Sequence, residues 1–380
     1  MEILKVPQGE FQLSRYPNRK NDRLRAWDAA DEYLLNFINE EISSDQKLNI
    51  LIINDSFGAL ATALAEHSLT VWTDSWLSQQ GIKQNYSSNN ISLDSLQLLN
   101  SIETPEDAYD LVLIKTTKNH SWLEEQLIRI KPTLSISSKV IGAGMAKSIH
   151  TSTLNLFEKY IGATKTSLAK KKARLIFSTP DLNIKTTNSS YPKSYILEGT
   201  DFVVFNQANV FSRESLDIGT RFFLQHIPQS EKYKSIIDLA CGNGVVGLIA
   251  SAINPDATVH FLDESYMAVE SAKQSFETAF NKEESEQHIA TFSVNDCLTN
   301  FKKNSADLIL NNPPFHQDNA IGDEVAWQMF KQSKDVLKQG GELWVIGNRH
   351  LGYHTKLKKI FDNCEVIATN KKFVILKSFK

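Results

Sequence analysis

Cysteine is scarce in this 380-residue chain. Cys241, Cys297 and Cys364 are the only three, and no two lie close enough to suggest a disulfide framework or the paired spacing of a zinc site. That excludes the disulfide-rich secreted class and points to a reducing compartment. Long apolar runs are missing too, so no stretch reads as a membrane span, and Met1 to Phe11 lacks the basic-then-apolar pattern of a signal peptide. Together these absences make a cytoplasmic location the expectation. Nor is there an excess of charge of one sign. With a formal net charge of −3 the chain has no uniform basic coat, and any nucleic-acid contact has to come from local clusters.

What is present is an ordinary globular composition, 41% apolar and 22% charged, at a length that favours two domains over one. An internal repeat at close to half the chain length supports that division. Ala26 to Ala30 followed by Tyr33 to Ile38 recurs as Ser215 to Gly219 followed by Phe222 to Ile227, both with amphipathic-helix spacing. Ile50 to Asn54 with Gly58 matches Ser235 to Asp238 with Gly242, and Val71 to Asp74 matches His260 to Asp263. Tyr109 to Lys115 matches Ala306 to Asn312, and Lys171 to Phe177 matches Lys371 to Lys377. Five matches in the same order predict two domains of one α/β fold, with strands and helices alternating around a mostly parallel sheet. Ser178 to Ser194, with Pro180, Pro192 and a polar run between them, reads as an exposed connection. The expected domains are 1–180 and 195–380, joined by 181–194.

The halves differ where chemistry would sit. In the second, Asp238-Leu239-Ala240-Cys241-Gly242-Asn243-Gly244 follows an apolar strand and precedes the helical run Val245 to Ala250. Glycines there let a ligand approach backbone N–H groups at a helix start. Asp263 follows about twenty residues on, at the end of Val259 to Leu262, where a doubly wound fold places an acid on a ribose diol. Gly242, Gly244 and Gly247 also satisfy the spacing of a NAD fingerprint.

Asn312-Pro313-Pro314-Phe315 argues against the NAD reading. Two prolines hold the chain in a rigid turn, so the Pro313 carbonyl is fixed beside the Asn312 side-chain oxygen, with the Phe315 ring for stacking. Two acceptors and a flat face suit a planar amine that must meet an electrophile in line. A dehydrogenase has no use for them.

This stretch resembles the Asn-Pro-Pro-Phe/Tyr signature of S-adenosylmethionine-dependent amino-methyltransferases. The resemblance implies that Asp238, Gly242 and Gly244, with Ala240 and Asn243 in the same loop, surround the amino-acid end of S-adenosylmethionine. It further implies that Asp263 holds the ribose and Asp296 the adenine amino group. The bland reading of Asp296 is a turn or N-cap aspartate. Phe261 and Cys297 read as wall and core. In the first half Asp238 aligns with Asn54, Gly244 with Leu60, and Asn312-Pro313-Pro314-Phe315 with Lys115-Thr116-Thr117-Lys118. That half is expected to keep the fold without the chemistry and to support substrate binding.

A degenerate domain followed by an active one resembles the bacterial families that methylate guanine N2 in small- and large-subunit ribosomal RNA. Ala26 to Leu35, Asn54 to Leu60 and Asn348-Arg349-His350-Leu351 look closest to the large-subunit members. The implied fold is α/β, two tandem Rossmann-like methyltransferase domains related by duplication, the first degenerate. The implied partner is large-subunit ribosomal RNA, the implied cofactor S-adenosylmethionine, with no metal and a monomer favoured. Lys170, Lys171, Lys172 and Arg174, with Lys371 and Lys372, are the expected phosphate contacts, and Lys356, Lys358 and Lys359 are further candidates. His316 reads as a wall or capping residue rather than a base. The alternatives are a guanine of small-subunit RNA, a protein glutamine amide, and a non-enzymatic RNA-binding factor.

Overall fold

The computed structural model describes residues 2–18, 24–41, 46–280, 288–314 and 320–380. The chain divides into two compact units, Met1–Ser190 and Tyr191–Lys380. No helix among the described residues is long and apolar enough to cross a membrane.

The first unit opens with a hairpin, β1 (Glu2–Val6) and β2 (Gly9–Leu13), followed by α1 (Ala29–Glu41), β3 (Asn49–Ile53), α2 (Ala59–Ala63) and β4 (Ser68–Thr73). It continues with α3 (Trp76–Ser88), β5 (Leu96–Asn100), β6 (Leu111–Lys115), α4 (His120–Ile130) and β7 (Lys139–Met145). It ends with α5 (Thr151–Tyr160), β8 (Thr164–Thr166) and β9 (Ala173–Ser178). Seven strands form one sheet in the order β5-β4-β3-β6-β7-β9-β8, parallel except for β9, which runs antiparallel to both its neighbours. Ile50, Leu51, Ile52 and Ile53 are all fully buried, which requires helices on both faces and explains why this strand is an unbroken apolar run.

The second unit repeats the plan. A hairpin of β10 (Lys193–Ile196) and β11 (Val203–Asn206) leads to α6 (Ile218–Leu224), β12 (Ser235–Leu239), α7 (Val245–Ile253), β13 (Thr258–Asp263) and α8 (Tyr266–Phe280). Then come β14 (Ile289–Val294), β15 (Ala306–Asn311), α9 (Ala320–Val336), β16 (Leu337–Asn348), α10 (Tyr353–Phe361), β17 (Glu365–Thr369) and β18 (Phe373–Phe379). The strand order is β14-β13-β12-β15-β16-β18-β17. The two seven-stranded sheets therefore have the same order and the same antiparallel penultimate strand, as the repeat predicts.

The stretch read as a connection is structured at both ends. Thr179 and Asp181 donate their backbone N–H groups to Ala163 and Ile161 carbonyls (3.0 and 2.8 Å), and Lys193 and Ser194 already belong to β10. That hairpin has no counterpart among the sequence matches. Its β11 edge is closed by α8, where the Ser275 and Ser271 hydroxyls accept from the N–H groups of Phe205 (2.8 Å) and Gln207 (3.0 Å). Each hydroxyl donates in turn to a carbonyl of its own helix, so both proton and lone pair are used.

Candidate functional site

The sheet of the second unit changes its direction of winding between β12 and β15, the point where a doubly wound sheet opens a crevice beyond its carboxyl ends. In spatial order β14, β13, β12 and β15 end at Val294, Asp263, Leu239 and Asn311. Asp296, Asp263, the loop Ala240 to Gly244 and Asn312 thus lie along one edge, each on a different strand end.

The loop is bent by residues in the left-handed region, Ala240 (φ 60°), Gly242 (φ 54°) and Gly244 (φ 82°). Gly244 starts α7, and an added Cβ would lie 2.8 Å from that of Ala272, so no other residue fits. Gly247 is a packing glycine, since a Cβ would come within 2.2 Å of the Phe261 ring. Gly242 is different: a Cβ there would meet nothing within 4 Å. Its N–H donates to Asp263 Oδ2 (3.0 Å), and Asp263 Oδ1 accepts from the Ser265 N–H (3.1 Å). An open notch over a glycine beside an oriented carboxylate suits the sugar and amino-acid part of an adenosyl cofactor.

Asp238 is buried and accepts the Gly247 N–H at 2.8 Å, tying β12 to the first turn of α7. Burial pushes its carboxyl up to about 7; the Gly247 hydrogen bond pulls the other way and the nearby Asp263 charge adds to the rise. Asn243 donates through Nδ2 to Asn206 Oδ1 (2.9 Å) and to the Tyr195 hydroxyl (3.3 Å), so the β10–β11 hairpin holds the glycine loop. Asp296, also buried, accepts from Gln328 Nε2 (2.9 Å) and the Thr299 hydroxyl (3.3 Å). These bonds brace the turn after β14, and Asp296 lies just beyond that strand end, next in spatial order to Asp263.

At the end of β15, Asn311 Nδ2 donates to the Leu239 carbonyl (2.8 Å), pinning the two strand ends at the switch point. Asn312 Nδ2 donates to the Thr220 hydroxyl (3.1 Å). That hydroxyl gives its only proton to Asp217 Oδ2 (3.3 Å), the N-cap carboxylate of α6, which can only accept. Its lone pair must therefore face Asn312, which fixes the amide with its nitrogen toward α6. Asn312 Oδ1 is buried without a hydrogen-bond partner among the described residues. Pro313 is buried and Pro314 exposed; Phe315 and His316 lie outside the described residues.

Strand pairing corrects two of the sequence matches. Ile50 pairs with Leu69 and Leu111 as Ile236 pairs with Val259 and Leu308, so Asn54 corresponds to Ala240 and Gly58 to Gly244. The Asp238–Asn54 and Gly244–Leu60 equivalences were two residues out. Gly58 keeps the left-handed start of α2 (φ 82°), so glycine and not the expected bulky residue stands there. Asp263 corresponds to Thr73 rather than Asp74, and Asp296 to Ile102. The loop match slipped because it set the polar Asp238 against the polar Asn54, whereas the ladder sets Asp238 at the place of the apolar Ile52. Asn312 does correspond to Lys115, as expected.

Lys170, Lys171 and Lys172 are exposed in the turn before β9, and Lys371 and Lys372 in the equivalent turn before β18. Lys171 pairs with Glu32 (2.8 Å), while Lys170 and Lys372 lie over the rings of Tyr33 and Phe373. Arg174 is half-buried. Lys356 lies over Tyr353 and Lys359 over Trp327, and Lys358 is exposed on α10. Sequence reasoning missed Thr220, Tyr195, Asn206 and the orienting role of Asn311. Only Thr220 left a signal, three residues after the capping Asp217.

A family model described as the RLMG N-terminal domain matches residues 1–182, and one described as the methyltransferase small domain matches residues 201–377. The ribosomal RNA large subunit methyltransferase G of Pseudoalteromonas translucida is 48% identical over 373 residues, covering 97% of this chain and 96% of that protein. The protein of the same name from Streptomyces griseus is 45% identical over 387 residues, covering all of both chains. Among solved structures, the T. thermophilus 16S rRNA N2 G1207 methyltransferase RsmC, in complex with AdoMet and guanosine, matches with a TM-score of 0.75. The match covers 100% of this chain and 97% of that one at 15% identity, and shows the shared Rossmann-like methyltransferase fold. By its identity to these relatives along its whole length, the chain belongs to the ribosomal RNA large subunit methyltransferase G family.

Proposed function

We propose that this protein transfers a methyl group from S-adenosylmethionine to the exocyclic N2 amine of a guanine in large-subunit ribosomal RNA. The observation that carries the reading is Asn312, whose amide nitrogen is committed to Thr220 and whose buried oxygen has no partner among the described residues. A buried acceptor held in one orientation is built for a donor that arrives with the substrate. The names of the relatives supply the large-subunit RNA, and the name of the RsmC structure supplies guanine N2 as the kind of nitrogen methylated on this fold.

When bound, S-adenosylmethionine supplies an electrophilic methyl on a sulfonium that is its own leaving group. The open notch over Gly242 and the carboxylate of Asp263 would hold its ribose and amino-acid end, with Ala240, Asn243 and Gly244 shaping the loop and Asp238 bracing it. Asp296 would lie by the adenine. Asn312 Oδ1 and the Pro313 carbonyl accept the two hydrogens of the guanine amine and aim its lone pair outward. Conjugation draws that lone pair into the ring, so a grip that favours the tetrahedral nitrogen lowers the barrier. Phe315 supplies the stacking face. A guanine inside a duplex cannot reach this edge, so the target is looped or flipped out.

The first unit serves substrate binding and support, and its Lys170, Lys171, Lys172 and Arg174, together with Lys371 and Lys372 of the second unit, are the phosphate contacts that make affinity fall with salt. The working place is the cytoplasm. Incubation with radiolabelled S-adenosylmethionine and separated unmodified ribosomal RNAs, followed by digestion to nucleosides, tests the reading. Label in N2-methylguanosine from the large-subunit RNA is expected. Label confined to small-subunit RNA or to protein glutamine would overturn it.

A further inference from the structure

We propose that Asn348 accepts the N1–H of the target guanine, and so makes the site select guanine over other purines that carry a 2-amino group. The proposal rests on the methyl-transfer reading of Asn312 given above. Asn348 is the last residue of β16, is only 8% exposed, and its Oδ1 is buried without a hydrogen-bond partner among the described residues. A buried carbonyl oxygen left unpaired calls for a donor from elsewhere.

Strand geometry places that oxygen beside Asn312. Asn311 pairs with Val345 across the β15–β16 ladder. Asn312 is one residue beyond Asn311 and Asn348 three beyond Val345, so both face the side of the sheet opposite to that pair. At a rise of about 3.3 Å per residue and a strand spacing of about 4.8 Å, their Cα atoms are about 8 Å apart. The first turn of α6 lies against Asn312 and against the cross-strand neighbour of Asn348. Thr220 holds Asn312, and a Cβ added at the adjacent Gly219 would come within 3.0 Å of the Phe373 ring. Phe373 is the cross-strand partner of Asn348.

Two unpaired acceptors on one face match the edge of guanine, which presents N1–H and the N2 amine as adjacent donors. In 2,6-diaminopurine the N2 amine is kept but N1 carries a lone pair, which the Asn348 oxygen would oppose. Sites that hydrogen-bond one donor reject an analogue lacking it far more strongly than an apolar wall can. The first unit supplies a contrast. By the same ladder count the counterpart of Asn348 is Met145, which has no oxygen to offer, in the unit that has also replaced Asn312.

The test is calorimetric titration of the full-length protein, with S-adenosylhomocysteine present, by guanosine and by 2,6-diaminopurine riboside. For the parent and for Asn348→Asp, which keeps an acceptor, guanosine is expected to bind at least about tenfold more tightly. For Asn348→Leu, of similar size, the ratio is expected to fall close to one through loss of guanosine affinity, with S-adenosylhomocysteine affinity unchanged as evidence of folding. A leucine variant that kept the parent ratio, or a parent that bound neither nucleoside or both equally, would overturn the assignment. A parent that methylated large-subunit RNA while Asn348→Leu kept the ratio would sink this inference alone. A parent that failed to methylate the RNA would remove the reading beneath it as well.

Discussion

Lys115 sets its ammonium 2.6 Å from the carboxylate of Asp31, at the strand end that Asn312 occupies in the second unit. Asp28, 2.8 Å away on the other side, completes the cluster. Asp28 and Asp31 also form a reciprocal cap, Asp28 accepting the Asp31 N–H and Asp31 the Asp28 N–H, so the ion pair is bound into the start of α1. The corresponding positions in the second unit are Asp217 and Thr220. One arrangement, a strand end gripped by a helix start, thus serves two purposes. In the second unit a neutral amide is oriented and its oxygen has no partner among the described residues, whereas in the first a cation is engaged by two acids.

The first prediction concerns this cluster. Burial works against the Lys115 ammonium, but Asp31 and Asp28 outweigh it and hold its pKa above the usual lysine value. Lys115→Ala leaves the Asp31 carboxylate buried without its cation, and removing one partner of a buried pair costs roughly 3 to 5 kcal/mol. Urea denaturation is expected to show that loss, while the cofactor dissociation constant at the second unit stays unchanged. A loss under about 1 kcal/mol would put the pair with surface bridges, which contribute little.

Cofactor binding is expected at one site per chain, because Asp263 and Asp296 of the second unit stand where the first has Thr73 and Ile102. Asp263→Ala is predicted to weaken S-adenosylmethionine by roughly 1 to 3 kcal/mol, the cost of losing a charged hydrogen-bond partner, and Asp74→Ala to change nothing. Isothermal titration checks both. Equal losses from the two substitutions, or two sites per chain, would contradict the assignment.

The pH dependence of stability follows from Asp238. Its carboxyl is raised from 3.8 to about 7 in the folded chain, so between those values the folded protein holds a proton that the unfolded chain has released. The stability this represents is complete below about pH 4 and is lost as pH rises through about 7, at about 1.4 kcal/mol for each pH unit between the two values. Asp55, raised to about 6 by burial and then by Asp31, adds the same trend in the first unit but cancels in a comparison with an Asp238 variant. Asp238→Asn cannot titrate, so its melting temperature relative to the parent should climb between pH 4.5 and 8. A flat difference would show that Asp238 is ionised throughout.

The legible part of the sequence was whatever local chemistry marks. The Asn-Pro-Pro turn, the left-handed glycine loop and the acid that ends β13 announce themselves because few residues can take those conformations or supply those atoms. The repeat was visible because Asp28 and Asp217 each begin a helix and because Leu111 and Leu308 follow matching acids, Asp110 and Asp307, that hold neighbouring backbone N–H groups. The polar Asp238 invited a match to the polar Asn54, whereas the ladder sets it at the place of Ile52, hence the two-residue error at the loop. The β10–β11 hairpin stayed hidden because its hydrogen bonds go to Ser271 and Ser275, some seventy residues away, a partnership no local pattern encodes. Thr220 was marked only by its place three residues after the capping Asp217 until the fold brought Asn312 against it.

The last prediction separates the grip on the amine from the part that orients it. Asn312→Ala removes the acceptor itself. The amine hydrogens grow more acidic as the nitrogen becomes tetrahedral, so the Asn312 hydrogen bond strengthens toward the transition state. Losing such a preorganised partner costs on the order of 2.7 to 4 kcal/mol, a hundredfold to a thousandfold in turnover. Thr220→Val leaves the oxygen in place and removes only the hydroxyl that fixes the amide nitrogen at 3.1 Å. The amide is then free to turn over, and the expected loss is that of one ordinary hydrogen bond, about 1 kcal/mol or roughly fivefold. Single-turnover rates at saturating RNA and cofactor distinguish the two. Neither variant should change cofactor affinity. Because Asn312 carries the effect of Thr220, the double variant should be no slower than Asn312→Ala alone. A double variant slower by the product of the two losses would mean that Thr220 acts on the substrate directly, and an Asn312→Ala rate within a few-fold of the parent would remove this strand end as the catalytic centre.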